Sequence, residues 1–99
     1  MIVIAGTVRL RADGLTAARP HMARMIAASR AEPGCLAYSY ALDVLDETVA
    51  HVFEVWSDEA AFAAHIESAH ITAWRAVWGD IGLSDRDLTK YEIGAHTPV

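Results

Sequence analysis

Apolar and polar positions alternate along Ile2-Val-Ile-Ala-Gly-Thr-Val-Arg-Leu10, placing Ile2, Ile4, Val8 and Leu10 on one face. With its β-branched content, this segment predicts a first strand. Asp13-Gly14 signals a turn, and beyond it Leu15, Ala18, Met22, Met25, Ile26 and Ser29 recur at helical spacing, with Pro20 expected in the first turn or so. Glu32-Pro33-Gly34 ends that helix, because the residue before proline is driven out of the α region and glycine permits a reversal. Alternation returns from Cys35 to Asp43, with Leu36, Tyr38, Tyr40 and Leu42 on one side. A short polar connection, Leu45-Asp-Glu47, leads to Thr48–Trp56, and the two segments read as an antiparallel hairpin. Ser57 is the expected cap of a second helix carrying Asp58 and Glu59 in its first turn, with Phe62, His65, Ile66 and Ala69 inward. The helical period resumes after His70 through Ala73, Trp74, Val77, Trp78 and Ile81, so either a broken helix or two short ones precede Gly82. A last strand is predicted over Asp87–Gly94, with Thr89, Tyr91 and Ile93 on one face.

The order β-α-β-β-α-β is that of the ferredoxin-like split motif, an α+β fold whose helices cover one face of a four-stranded antiparallel sheet. Both faces of this sheet read as apolar. In the third strand Phe53 and Val55 point one way, and Val52 and Trp56 the other. The expectation is a homodimer in which two sheets pack face to face as a dimeric α+β barrel. Residues 1–95 read as one domain and 96–99 as a tail.

Composition sharpens this picture in three places. Apolar residues make up 54% of the 99, more than one small core of this size absorbs, which again points to burial against a second copy. No uninterrupted apolar run approaches the ~20 residues of a membrane span, and no basic segment precedes the first apolar run, so a cytoplasmic protein without membrane contact is expected. A net charge of −5 with dispersed Arg and Lys argues against nucleic acid. Cys35, the only cysteine, is expected to act as a small apolar residue.

Three segments in order, Glu32-Pro-Gly-Cys-Leu-Ala-Tyr38, Phe53-Glu-Val-Trp-Ser-Asp-Glu59 and Ala64-His-Ile-Glu-Ser-Ala-His70, resemble the signature of the antibiotic biosynthesis monooxygenase family. The resemblance implies a dimeric barrel with a pocket between sheet and helices, and oxidation of small aromatic or quinol-like substrates by O2 without metal or flavin. Members that oxidise polyketide aromatics share Trp56, but have asparagine and tyrosine where this chain has Val52 and Phe62. Haem-degrading relatives also share the tryptophan, but have asparagine and histidine at the places of Thr7 and Arg75. The pattern of quinol-oxidising members, Glu54, Trp56, His65 and His70, is kept.

From the residues themselves, His65 is the natural general base and Glu54 the carboxylate expected to orient its ring, since deprotonating a dihydroxyaromatic yields an anion able to pass an electron to oxygen. Trp56, Phe62 and Trp74 are expected to form an aromatic wall; the resemblance to the family, not the residues themselves, adds Thr7, Val52 and His70 as further substrate contacts. Tyr38 and Tyr40 are expected at a sheet interface, and His21 and His96 at the surface. No metal site is expected: His65 and His70 are five apart, not the four that stacks ligands on one helix face. The same base and pocket also suit an isomerase or tautomerase of a small keto compound, and the bare fold suits a binding module without catalysis.

Overall fold

A computed structural model describes residues 1–99. The strands are β1 (Ile2–Arg9), β2 (Cys35–Leu42), β3 (Val49–Trp56) and β4 (Ser84–Glu92); the helices are α1 (Leu15–Arg30), α2 (Glu59–Ile66), α3 (Ala69–Ala76) and the single turn α4 (Trp78–Ile81). The sheet is antiparallel throughout, in the order β2-β3-β1-β4, which is the predicted ferredoxin-like arrangement. Its register separates two sets of cross-strand rows. Cys35, Trp56, Ile2 and Glu92 form one row; Tyr38, Glu54, Ile4 and Lys90 the next; Tyr40, Val52, Gly6 and Leu88 the third. These rows face the helices, and Ile2, Ile4, Tyr38 and Trp56 join Ala18, Met22, Met25, Ile71, Trp74 and Ile81 in the main core. The opposite face carries Ala37, Val55, Val3 and Tyr91, then Ser39, Phe53, Ala5 and Thr89.

Gly6 sits where β1 runs between β3 and β4. A Cβ there would collide with the Asp87 carbonyl, so only glycine permits this approach of the two backbones. No helix is long and apolar enough to cross a membrane.

Local details depart from expectation for identifiable reasons. The register slips between Cys35 and Ala37, so Leu36 is the extra residue of a bulge: it is exposed, and Cys35 packs on the core in its place. The amide of Ser57 is still held by the Gly34 carbonyl at 2.8 Å, so the second helix begins one residue later, with Asp58 as cap accepting from the Ala61 amide. Pro20 lies at the sixth position of α1, early in its second turn; the Thr16 carbonyl loses its amide partner there, on the solvent side. The last strand starts at Ser84 rather than Asp87, and Ala69 and Ala73 are exposed rather than inward.

Candidate active site

The break between α2 and α3 shapes the site. Ser68 caps α3 by accepting from the Ile71 amide while its hydroxyl donates to the His65 carbonyl at 2.7 Å, so one serine ends one helix and starts the next. His65, in the last turn of α2, is thereby pressed onto the sheet and is 2% exposed. Its ring lies against the Trp56 indole, with centroids 4.4 Å apart and planes 35° apart, and 5.3 Å from the ring of Tyr38.

Two carboxylates flank the imidazole. Nδ1 is 2.7 Å from Glu32 Oε2, and Nε2 is 3.7 Å from Glu54 Oε1. The expected orienting carboxylate, Glu54, is therefore not the one that holds the ring: Glu32, from the turn after α1, does so, and Glu54 instead accepts the Trp56 indole N–H at 2.9 Å. Opposite effects act on the pair. Burial holds the His65 pKa below its ordinary value, against the pull of Glu32. Burial likewise raises Glu54, against the Trp56 hydrogen bond and the charge of Arg86. Both shifts favour the uncharged forms. With Glu32 as acceptor, the imidazole proton resides on Nδ1 and the Nε2 lone pair faces Glu54.

On that side lies a small hollow of about 40 Å³, lined among others by Tyr38, Tyr40, Phe62, Trp74 and Trp78. Glu54, His65, Phe62 and Trp74 are thus brought together as expected. Trp56 is not part of the wall; it is wholly buried, its ring against that of His65. Val52 belongs to a separate core group with Val8 and Ala50. Thr7 lies on the far face of the sheet, opposite His51, because its position in β1 is odd where the helix-facing residues are even. His70 stands on the Glu32 side of His65, its Nε2 3.4 Å from Glu32 Oε2, and faces a groove shared with His21, Arg24 and Met25 of α1.

Sequence reading missed several participants. Tyr38 and Tyr40 face the helices rather than a sheet interface, and burial raises the pKa of both phenols. Arg75 and Arg86 line the hollow and bracket the Trp78 ring, 5.9 and 5.6 Å from its centroid. Trp74 and Trp78 have buried indole N–H groups that meet no acceptor. The clue to Arg86 was slight, since it lies in an exposed, polar strand segment. Glu32, His65 and His70 together offer three donor atoms within 4.8 Å of one another, the set of side chains able to hold a metal ion. A roomier groove of about 270 Å³ between α1 and β2 is lined by apolar side chains with Arg19 and Tyr40 and contains no carboxylate or imidazole. Burial raises the Cys35 thiol pKa, which favours the protonated form over the nucleophilic thiolate.

This constellation sits on a fold shared with known proteins. The chain belongs to the antibiotic biosynthesis monooxygenase family, whose model matches residues 1–77. It is similar to an uncharacterized protein of Synechocystis, at 32% identity over 92 residues, 93% of this chain. The chain spans 63% of the length of that curated relative. Among solved structures it resembles an antibiotic biosynthesis monooxygenase-type protein of Deinococcus radiodurans, with a TM-score of 0.91, 23% identity and coverage of 100% of this chain and 98% of that one. A protein of Mycobacterium tuberculosis is 28% identical with a TM-score of 0.75, covering 98% of this chain and 95% of its own.

Proposed function

We propose that this protein is a monooxygenase that oxidises a small dihydroxyaromatic with O2, using His65 as base and no resident metal or flavin. The observation that carries the reading is the orientation of His65: a buried imidazole anchored through Nδ1 by Glu32, with Nε2 free to take a proton on the side of an aromatic-lined hollow. Transfer of a phenolic proton to Nε2 leaves an imidazolium that Glu32 stabilises and an electron-rich anion within the field of Arg75 and Arg86. That anion reduces oxygen. For a simple hydroquinone the sum is hydroquinone plus O2 to hydroxyquinone plus water: one oxygen atom enters the ring, the other leaves as water, and the substrate supplies all the electrons.

The hollow is small as it stands, about 40 Å³. Arg75 and Arg86, both exposed, line it beside Trp78, and a substrate ring would need side chains around the hollow to move. The test is oxygen uptake by metal-free protein with a panel of hydroquinones. Turnover of a small keto compound under strict anoxia, with no uptake in air, would replace this reading with the isomerase one.

The same proposal includes a homodimer formed through the outer sheet face. Phe53 is 46% and Tyr91 50% exposed there, beside Val3 and Val55. A Phe53→Lys variant is expected to sediment as a folded monomer where the wild type sediments as a dimer. A wild-type monomer at micromolar concentration would remove the dimer from the proposal.

A further inference from the structure

The cluster of Glu32, His65 and His70 has a second use that does not depend on turnover in the hollow. We propose that it is a binding site for a divalent transition metal of the zinc class, with Glu32 Oε2, His65 Nδ1 and His70 Nε2 as ligands.

Separation in sequence conceals this set. On one continuous helix, residues five apart point away from each other. Here α2 stops at Ile66 and α3 starts afresh at Ala69, so the chain reorients between the two histidines and their ring centroids come within 6.0 Å. Glu32 then reaches both, at 2.7 Å from His65 Nδ1 and 3.4 Å from His70 Nε2. Ligand atoms held about 2.0–2.1 Å from a tetrahedral zinc lie roughly 3.4 Å from one another, so small side-chain movements suffice.

An independent observation points the same way. His70 Nε2 is a buried polar atom that makes no hydrogen bond, although Glu32 is near: its geometry toward the carboxylate is poor. Leaving such an atom unpartnered is costly, and a cation between the two groups would satisfy it. Two imidazoles and one carboxylate form a nitrogen-oxygen donor set suited to zinc, cobalt or nickel rather than magnesium or calcium, which require more oxygens. His70 borders the groove between α1 and α3, so the cluster lies next to a solvent-open surface. Water would complete the coordination.

Occupancy has a chemical consequence for His65. A neutral imidazole carries one proton, and a metal on Nδ1 confines that proton to Nε2. The face toward the hollow then donates instead of accepting, so a bound metal and a basic His65 exclude each other.

The test uses full-length protein freed of metal by chelation, equilibrium dialysis with zinc chloride, and the visible absorption of cobalt(II) as a probe of geometry. One zinc per chain is expected, with a four-coordinate cobalt spectrum. His70→Ala and His70→Asn should each weaken zinc binding by more than about 100-fold, beyond the 10–100-fold that loss of an outer-shell partner produces. Either variant that folds, judged by circular dichroism, serves. Zinc retained unchanged in a folded His70 variant, or less than one zinc per chain at 100-fold molar excess, overturns the site. Because zinc is measured directly, a protein that never consumes oxygen with any hydroquinone leaves this result standing, and the two proposals fail separately.

Discussion

Hydroquinone-dependent oxygen uptake is expected to fall by about 10²–10⁴-fold in a His65→Ala variant, the usual contribution of a positioned general base. Alanine removes the only imidazole that borders the hollow and leaves Glu32 without its 2.7 Å partner. A companion variant, Glu32→Gln, separates base from support. The glutamine carbonyl still accepts from Nδ1, so the ring keeps its orientation, but no negative charge stabilises the imidazolium; a loss of about 10-fold or more, smaller than for alanine at position 65, is the expected result. The pH profile supplies a further check. Burial lowers the His65 pKa from its ordinary 6.5, so a base at Nε2 is already free above that pH, and kcat/KM should rise along a limb placed below it. Glu32→Gln removes the group that pulls this pKa upward, and the limb should move further to the acid side. Uptake that survives His65→Ala at the wild-type rate would exclude the imidazole from the chemistry altogether.

The largest effect on stability is expected at Trp56. It is wholly buried, contacts His65 and Phe62 through its ring and ties down Glu54 through its indole N–H. Trp56→Ala should cost about 3–5 kcal/mol in urea unfolding, a large share of the roughly 5–15 kcal/mol that stabilises a typical small domain. Trp56→Phe keeps most of the ring contact but leaves the buried Glu54 carboxyl without its donor, and about 1–3 kcal/mol is expected from that loss. The difference between the two variants therefore separates packing from hydrogen bonding. A cost below 1 kcal/mol for alanine would mean that the core closes over the gap and that Trp56 does not fix the floor of the site.

The period of the sequence was sufficient for the strands, the long first helix and their order, because each element declares the face it buries. Ile2, Ile4 and Val8 alternate into the core, and Ala18, Met22, Met25 and Ser29 form the buried stripe of α1. Periodicity fails where burial does not impose it. Ser84–Arg86 is exposed and carries no apolar rhythm, so its pairing with β1 was invisible; Leu36 interrupts the alternation of β2 through a bulge that only the partner strand defines.

The candidate site divides in the same way. His65, Glu54, Phe62 and Trp74 could be named from residue type and helix or strand face, since their neighbours are local or lie on an adjoining element. Thr7 and Val52, placed by comparison with relatives, fall on the far face of the sheet and in a separate part of the core. Glu32 could not be found, because it lies 33 residues from His65 and its role arises only when the turn after α1 is laid beside the end of α2.

By itself, then, the sequence determined the set of elements, their order and the presence of an imidazole and an acid beneath the helices, all consequences of hydrophobic spacing along a single segment; because both faces of the sheet are apolar, which face Tyr38, Tyr40 and Thr7 take was not among them. Tertiary structure alone decided which acid holds the imidazole, which nitrogen is left free and how two histidines on separate helices meet. These depend on angles between segments, which are set by packing and by the capping of chain ends, and no pattern within one segment encodes them.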